Sequence, residues 1–338
     1  RKLYKRLLII IIVMAKNGIG NLRYLDLENQ FSAYVGTKSC VTVNTGTAAL
    51  HLALEALQLP EGSEVIVPQY TMVATAWAVY YARLKPVFVD CTQDLLIDID
   101  ELESKITENT RVIMVTHIYG RVVNMERVMQ IANKYNLRVI EDAAEAHGCM
   151  WDEQMVGSFD IGCYSFYRNK IICGEEGGAI TANDLSFMAT ARDMKSMSFG
   201  QKHNYMHEQI GFNYRMTDSQ ATLILESLSN VEKNIKLRRK NAELYDILIS
   251  EEYHMPHRDV PWVYDIKVPD NKIVDDFKQR QISARYGFKP VSMCAPFRID
   301  ASKTNAYRLS NQIMYLPVDP HLTHDDIVNN VEVLKELL

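Results

Sequence analysis

The chain has 338 residues, of which 47% are hydrophobic and 23% are charged, a composition that excludes a disordered or collagen-like protein. At about 150 residues per domain, this length predicts two domains, or one large α/β body with a smaller appendage. Lys and Arg number 37 against 42 Asp and Glu, and the formal net charge of −5 argues against a general nucleic-acid-binding protein.

The six cysteines form no CxxC pair, and most of them lie inside apolar segments. This usage predicts buried free thiols in a reducing cytoplasm and favours neither a disulfide framework nor a zinc site. We therefore expect no metal. The six are Cys40, Cys91, Cys149, Cys163, Cys173 and Cys294.

The sequence begins with basic residues followed by an apolar run over residues 7–15. No small-x-small cleavage site follows, and the run is shorter than the roughly 20 residues that a membrane span needs. A buried first helix that ends at Asn17-Gly18 is favoured over a signal peptide. We identify no other segment as transmembrane.

The next segments alternate between helical and strand-like patterns. LRYLDLENQFSAYVG has apolar residues at helical spacing and ends in Gly36, and TAALHLALEAL is a second helix. CVTVN, EVIVP, PVFVD, RVIMVTH and RVIED are short apolar runs separated by helical stretches. Such runs predict strands buried on both faces of a parallel sheet, with crossover helices, over residues 40–185.

The pattern changes from about Ala221. A long helical stretch, LESLSNVEKNIKLRRKNAELYDIL, precedes HMPHRDVPWVYDIKVP and a terminal helix, HDDIVNNVEVLKELL. This region predicts a smaller α+β domain. We place the large domain at residues 1–230 and the small one at 231–338.

A small turn, Asn44-Thr45-Gly46-Thr47, lies between a predicted strand and a predicted helix. The free N–H groups and the positive dipole end of that helix favour an anion, and glycine allows a phosphate close to the backbone. The alternative is an ordinary helix cap.

Glu141 and Asp142 end the predicted strand RVIED, and Glu145 follows three residues later. The carboxyl ends of strands are where α/β folds bind ligands, so Asp142 could hold a cation, a metal or a protonated ring nitrogen. The alternative is an aspartate that caps a helix.

Lys170 lies in GSFDIGCYSFYRNKIICGEEGGAIT among aromatic, small and glycine residues. A desolvated lysine has a lowered pKa and can attack carbonyl groups, whereas the alternative is a surface lysine. Ser165 could donate its hydroxyl to a phosphate. An amine, an acid and a phosphate cup together are what pyridoxal 5′-phosphate needs, so the three motifs jointly predict this cofactor.

The sequence as a whole resembles the DegT/StrS-type nucleotide-sugar aminotransferases, and among them the GDP-perosamine synthases. The blocks that carry the resemblance are TGTAALHLALEAL, EVIVPQYTMVATAWAV, PVFVD, THIYG, IEDAAEAHG, SFYRNK, GEEGGAIT, IGFNYRMTD, FKPVSMCAPF and LPVDPHLTHDDI. The resemblance implies the α/β fold of the fold-type-I pyridoxal-phosphate transferases. Such a protein has a mostly parallel seven-stranded sheet flanked by helices, and a smaller α+β C-terminal domain.

The resemblance also implies roles for single residues. Lys170 matches the lysine that joins the cofactor, Asp142 the partner of the pyridinium nitrogen, and Glu145 a residue near the ring hydroxyl. Because related sugar dehydratases have His in place of this lysine, Lys170 implies transamination.

Further matches concern the phosphate and the ring face. Gly46, Thr47 and Ser165 match the phosphate contacts. Asn213 matches a residue that reaches the phosphate in the neighbouring subunit, which implies an obligate homodimer with shared sites. Met72 stands where many relatives stack an aromatic ring on the cofactor.

Two differences from the family pattern concern substrate recognition. Lys289-Pro290 replaces a frequent Arg-Pro, and the region of residues 251–297 is shorter than usual. His117 and His147 are expected to be hydrogen-bonding structural residues near the site, and the alternative is an acid-base role for either of them.

The expected activity follows from these matches. Glutamate would donate an amino group to a nucleotide-linked 4-keto-6-deoxy sugar, for amino-sugar and polysaccharide biosynthesis in the cytoplasm, without nucleic-acid or membrane partners. The alternatives are an aminotransferase for a 3-keto nucleotide sugar, a non-catalytic pyridoxal-phosphate-binding regulator, and a nicotinamide-dependent oxidoreductase, although the sequence lacks GxGxxG.

Overall fold

A computed structural model describes residues 22–199 and 205–338. The apolar run of residues 7–15 and the predicted first helix lie outside the described residues. The first described helix, α1 (Arg23–Val35), ends at Gly36, whose left-handed φ of +82° is the conformation that glycine accepts at a helix end. The prediction for this segment is confirmed.

A seven-stranded sheet is the centre of the large region, in the spatial order β3-β2-β4-β5-β8-β9-β1. Every strand is parallel to its neighbours except β9, which is antiparallel to β1 and β8. A small hairpin of β6 and β7 lies apart. The strands are β1 (Ser39–Val43), β2 (Glu64–Pro68), β3 (Lys85–Val89), β4 (Thr110–Thr116), β5 (Arg138–Asp142), β6 (Met150–Trp151), β7 (Gln154–Met155), β8 (Ile161–Ser165) and β9 (Gly178–Ala182).

Helices cover both faces of this sheet, which explains why its central strands are apolar throughout. One core packs α2 (Gly46–Ala56), α3 (Val73–Tyr81) and α6 (Leu185–Met194) against the sheet. Another core contains side chains of α4 (Ile99–Leu102) and α5 (Met125–Tyr135). The predicted mostly parallel α/β layer structure is confirmed.

The long helical stretch predicted near residues 225–248 is divided into two helices. These are α7 (Asp218–Ser229) and α8 (Val231–Leu248), and Asn230 lies between them with φ −110° and ψ 8°. The Asn230 side chain donates a hydrogen bond of 2.8 Å to the carbonyl oxygen of Glu226. Asparagine side chains compete for backbone groups in this way, and here the competition ends the first helix.

The C-terminal region contains a small antiparallel sheet in the order β10-β12-β11. Its strands are β10 (Tyr264–Lys267), β11 (Arg285–Tyr286) and β12 (Ile313–Leu316), and its helices are α9 (Val274–Gln279), α10 (Asn305–Ser310) and α11 (His324–Leu337). A separate core centred on the stacked rings of Tyr245 and Tyr264 joins these elements to α8. The domain boundary at residue 230 stays a prediction.

A buried ion cluster connects the two regions. Both terminal nitrogens of Arg121, which follows β4, donate to the Asp265 carboxylate of β10 at 3.0 Å, and Arg258 Nε donates to it at 2.6 Å. Burial raises the pKa of Asp265, but the two guanidinium groups outweigh burial and hold that pKa below its usual value.

The six cysteines are free thiols, and Cys40, Cys91, Cys149 and Cys163 are buried as predicted. Cys173 and Cys294 are partly exposed. Among the described residues, no helix has the length and apolar character that crossing a bilayer requires.

Candidate active site

A cavity of about 500 Å³ lies where the carboxyl ends of several parallel strands meet. Thr116 at the end of β4, Asp142 at the end of β5 and Ser165 at the end of β8 all line it. Gly46, which begins α2 directly after β1, lines it as well. The sheet therefore brings together residues that are up to 119 positions apart in the sequence, 165 − 46 = 119.

Lys170 projects into this cavity from the loop between β8 and β9. Its side chain is 11% exposed, which removes the surface-lysine alternative. Nζ lies 3.7 Å from Glu145 Oε1 and 3.8 Å from the centroid of the Trp262 ring. Burial lowers the pKa of the Lys170 amine, and the carboxylates of Glu145 and Asp142 only partly reverse this shift. A buried amine of lowered pKa is a nucleophile.

The Asp142 carboxylate lines the cavity and is oriented by two hydrogen bonds. Thr75 Oγ1 donates to Oδ2 at 2.7 Å, and the backbone N–H of Ala144 donates to Oδ1 at 3.2 Å. Burial raises the pKa of this carboxyl, and the two hydrogen bonds limit the rise. Residues 143–149 form turns instead of a helix, so Asp142 is not a helix cap.

Glu145 contacts the reactive amine and the loop after β4. Its Oε2 accepts a 3.1 Å hydrogen bond from the backbone N–H of Tyr119, a residue in the left-handed region with φ +55°. Burial raises the pKa of Glu145 to about 7, despite the opposing effect of Lys170. This carboxyl is therefore able to exchange a proton near neutral pH.

The first turn of α2 forms a cradle beside Ser165. Thr45 caps the helix by accepting from the N–H of Ala48 at 3.1 Å, and the other N–H groups of a first turn have no partner within the helix. A Cβ on Gly46 would lie 2.7 Å from Ser165 Cβ, so only glycine fits here. Thr47 lines the cavity beside it. Backbone N–H groups at a helix N-terminus suit an anionic group.

The remaining predicted residues are not all in the cavity. Met72 lines it and is 51% exposed at the start of α3. Asn213 lies outside, exposed, in an isolated β-bridge with Ser196. Lys289 also lies outside, where its Nζ donates to the carbonyl oxygen of Ser310 at 3.0 Å.

Glu141 and the two histidines are fully buried and do not line the cavity. Glu141 accepts from the N–H groups of Gly157 and Phe159 at 2.7 and 2.9 Å, and His117 Nε2 lies 3.2 Å from it. Because His117 Nδ1 accepts from a backbone N–H, its Nε2 is the donor to Glu141. His147 is fully buried, and neither nitrogen has a hydrogen-bond partner in the described chain, so the hydrogen-bonding role predicted for it is not observed.

The C-terminal region contributes an aromatic wall to the cavity that the sequence patterns did not predict. Trp262, Phe288 and Tyr315 line the cavity and pack around Tyr119 of the large region. The local signal in the sequence is limited to a tryptophan two positions before the start of β10, in VPWVYDIK. The convergence of three distant aromatic residues arises only when the two regions pack together.

These residues fit pyridoxal 5′-phosphate on structural grounds. The cavity offers a desolvated amine, a buried carboxylate and a glycine cradle at a helix N-terminus, and the cofactor requires an amine, an acid and a phosphate site. Residues 22–199 and 205–338 contain no cluster of three His, Cys, Asp or Glu residues arranged to hold a metal ion.

The mostly parallel sheet and this cavity define a pyridoxal-phosphate-dependent transferase. The chain belongs to the DegT/DnrJ/EryC1/StrS aminotransferase family, whose model matches residues 19–335. It is an aminotransferase, and this family uses pyridoxal phosphate.

Individual relatives agree with this assignment. The chain is 33% identical to a GDP-perosamine synthase of Caulobacter vibrioides, over 93% of this chain and 90% of that protein. It is 30% identical to a dTDP-3-amino-3,6-dideoxy-α-D-galactopyranose transaminase of Aneurinibacillus thermoaerophilus, over 91% and 88%. Among solved structures, DesV of S. venezuelae, in complex with a ketimine intermediate, superposes with a TM-score of 0.91 at 25% identity, over 99% of this chain and 95% of that one.

Proposed function

We propose that this aminotransferase moves an amino group from glutamate to a nucleotide-linked 4-keto-6-deoxy sugar, as a GDP-perosamine synthase does. The observation that carries the chemistry is the convergence of Lys170, Asp142 and the Gly46–Ser165 cradle in one cavity. The similarity to a GDP-perosamine synthase supports the choice of acceptor. The product would enter amino-sugar and polysaccharide biosynthesis, and the free thiols agree with a cytoplasmic location.

Three groups of residues would hold the cofactor. Lys170 would bind its aldehyde carbon, Asp142 its ring nitrogen, and Gly46, Thr47 and Ser165 its phosphate. Glu145 and Met72 would contact the ring from its edge and its face, and the thioether of Met72 is flexible enough to pack there. When bound, pyridoxal phosphate supplies a carbonyl carbon that accepts amines and a ring that withdraws electrons from the adjacent carbon.

The chain's own residues would then move protons. Lys170 Nζ, whose pKa burial lowers, would accept a proton from the donor's α-carbon and later release it. Asp142, a carboxylate kept in place by Thr75, would hold the ring nitrogen and favour its protonated form. The aromatic wall lines one side of the cavity with apolar ring surface, which would limit the number of water molecules near this proton transfer.

A spectral half-reaction screen tests the proposal. The protein is first converted with glutamate to its pyridoxamine phosphate form, and GDP-, UDP- and dTDP-linked 4-keto-6-deoxy sugars are then added separately. Return of the pyridoxal phosphate absorbance with one of them supports the proposal. No return with any of the three would contradict the proposed acceptor.

A 3-keto nucleotide sugar is the second candidate acceptor, because a relative of similar coverage is named as a 3-amino-sugar transaminase. Carbon NMR of the aminated product separates the two, since the nitrogen is attached to C3 in one case and to C4 in the other. The glutamate half-reaction also tests the regulator alternative, because a non-catalytic binding protein would leave the cofactor unchanged.

We further propose a homodimer in which Asn213 of one subunit reaches the phosphate in the other. Asn213 is exposed and lies outside its own chain's cavity, which agrees with a contact made to a second copy.

A further inference from the structure

The amine of Lys170 lies over the face of an indole ring. The distance from Nζ to the ring centroid of Trp262 is 3.8 Å, well within the range at which a cation is attracted to an aromatic face. The Glu145 carboxylate lies 3.7 Å from the same nitrogen, which is longer than a hydrogen bond. The ring is therefore a principal contact of this amine, alongside Glu145.

Trp262 is fixed in this position from several sides. Its Nε1–H donates to the carbonyl oxygen of Asn169, the neighbour of Lys170, at 2.9 Å, and its own carbonyl oxygen accepts from Arg238 at 2.8 Å. The side chain is buried, with 5% of the residue exposed. The indole thus has little freedom to move away from the lysine.

The segment that carries Trp262 is also anchored to the large region. The N–H of Asp259 donates to the carbonyl oxygen of Gly120 at 2.9 Å. Gly120 has φ +87°, and a Cβ at this position would collide with the Val260 carbonyl, so the close approach depends on glycine. This contact lies one residue from Tyr119, whose N–H holds Glu145. Trp262 and Glu145, the two groups that contact the Lys170 amine, are therefore both positioned by the place where the segment of Asp259 meets Gly120.

We infer that Trp262 is a positioning residue: once the free Lys170 amine has accepted a proton, the indole ring holds the resulting ammonium ion over its face. The inference rests on the proposed role of Lys170. Burial and the nearby Arg238 guanidinium favour the neutral form of the Lys170 amine. The carboxylates of Glu145 and Asp142 favour its charged form, and the indole ring face adds to their effect. The ammonium is kept beside the cavity with its proton retained for the return step.

Competitive labelling with acetic anhydride measures this effect without turnover. The full chain, freed of cofactor, is labelled over a range of pH values, and mass spectrometry gives the titration midpoint of each lysine. In Trp262→Leu the site stays apolar but loses the ring face, so the Lys170 midpoint should fall by about one pH unit. Trp151→Leu, outside the cavity, is the matched control, and the exposed Lys272 is an internal one.

An unchanged Lys170 midpoint in folded Trp262→Leu would overturn the inference. Should that variant not fold, Trp262→Phe keeps a ring with a weaker attraction for cations, and a smaller downward shift is expected; no shift there also overturns it. Borohydride reduction of the wild type with pyridoxal phosphate separates this failure from that of the proposed function. If the cofactor becomes fixed to Lys170 while the midpoint stays constant, only the role of Trp262 is wrong.

Discussion

Asp142 and Glu145 lie three positions apart and have pKa values raised by the same burial, but their contacts differ. Asp142 accepts two hydrogen bonds that stabilise its charged form, from Thr75 and Ala144. Glu145 faces the Lys170 amine. We expect the first to act as a fixed negative charge and the second as a group that titrates near neutral pH.

Replacing Asp142 by Asn should abolish most turnover without preventing cofactor attachment. The amide has nearly the same shape, but it cannot stabilise a proton on a ring nitrogen. The rate of the glutamate half-reaction should fall on the order of 100-fold, the scale of a lost electrostatic contact in a dry site. Stopped-flow absorbance measures this rate, with Glu141→Gln, a buried carboxylate outside the cavity, as a comparison. A rate within a few-fold of the wild type would contradict the role of Asp142.

The raised pKa of Glu145 predicts a pH-dependent stability in the cofactor-free protein. The folded pKa is about 7 and the reference value 4.5, so the contribution of Glu145 is fully present below about pH 4.5 and is lost as the pH rises through 7. Relative to the wild type, Glu145→Gln should therefore gain melting temperature between pH 4.5 and 7.5. Calorimetry at several pH values measures the difference, and a difference that is constant with pH would count against the shifted pKa.

At the scale of elements, the strands were predictable and their convergence was only partly so. EVIVP and RVIED were predicted as strands because they are short apolar runs, and nearly all of their residues are buried in the structure. Because α/β folds bind ligands at the carboxyl ends of their strands, the position of Asp142 at the end of RVIED predicted a ligand site. The break at Asn230 was missed, since a side-chain hydrogen bond to Glu226 is not visible in an otherwise helical pattern. Trp262 was missed because its contact with Lys170 depends on how the C-terminal region packs.

The Arg121–Asp265–Arg258 cluster should be critical to the junction between the two regions. Asp265→Asn leaves two buried guanidinium groups without a counter-charge, and a loss of about 3–5 kcal/mol of stability is expected. Asp100→Asn is the control, because the exposed Asp100–Arg127 pair should contribute no more than about 1 kcal/mol. Urea unfolding of both variants tests this, and equal losses would contradict the account.

At the scale of the whole molecule, an active site built from two subunits predicts that two inactive variants can restore activity when they form a mixed dimer. An active site built from one subunit does not predict this. Lys170→Ala and Asn213→Ala should each be nearly inactive alone. If Asn213 serves the neighbouring subunit, a mixed dimer contains one site with both defects and one intact site. Because one of its two sites is intact, the isolated mixed dimer should have about half of the wild-type specific activity.

Co-expression of the two variants with different affinity tags isolates the mixed dimer, and its specific activity is the measurement. The matched mixture of Lys170→Ala with Asp142→Asn provides the control. Both of these residues lie in one chain's cavity, so no intact site forms. Activity of the first mixture no higher than that of the control would show that Asn213 does not act across the interface.

The covalent partner of the cofactor is the most direct test of the whole account. The protein is incubated with pyridoxal phosphate, reduced with borohydride and digested, and the peptides are analysed by mass spectrometry. We predict that the cofactor mass is found on the peptide containing Lys170, and that it is absent from Lys170→Ala. A label on a different lysine, or a label retained in that variant, would contradict the assignment of this cavity as the active site.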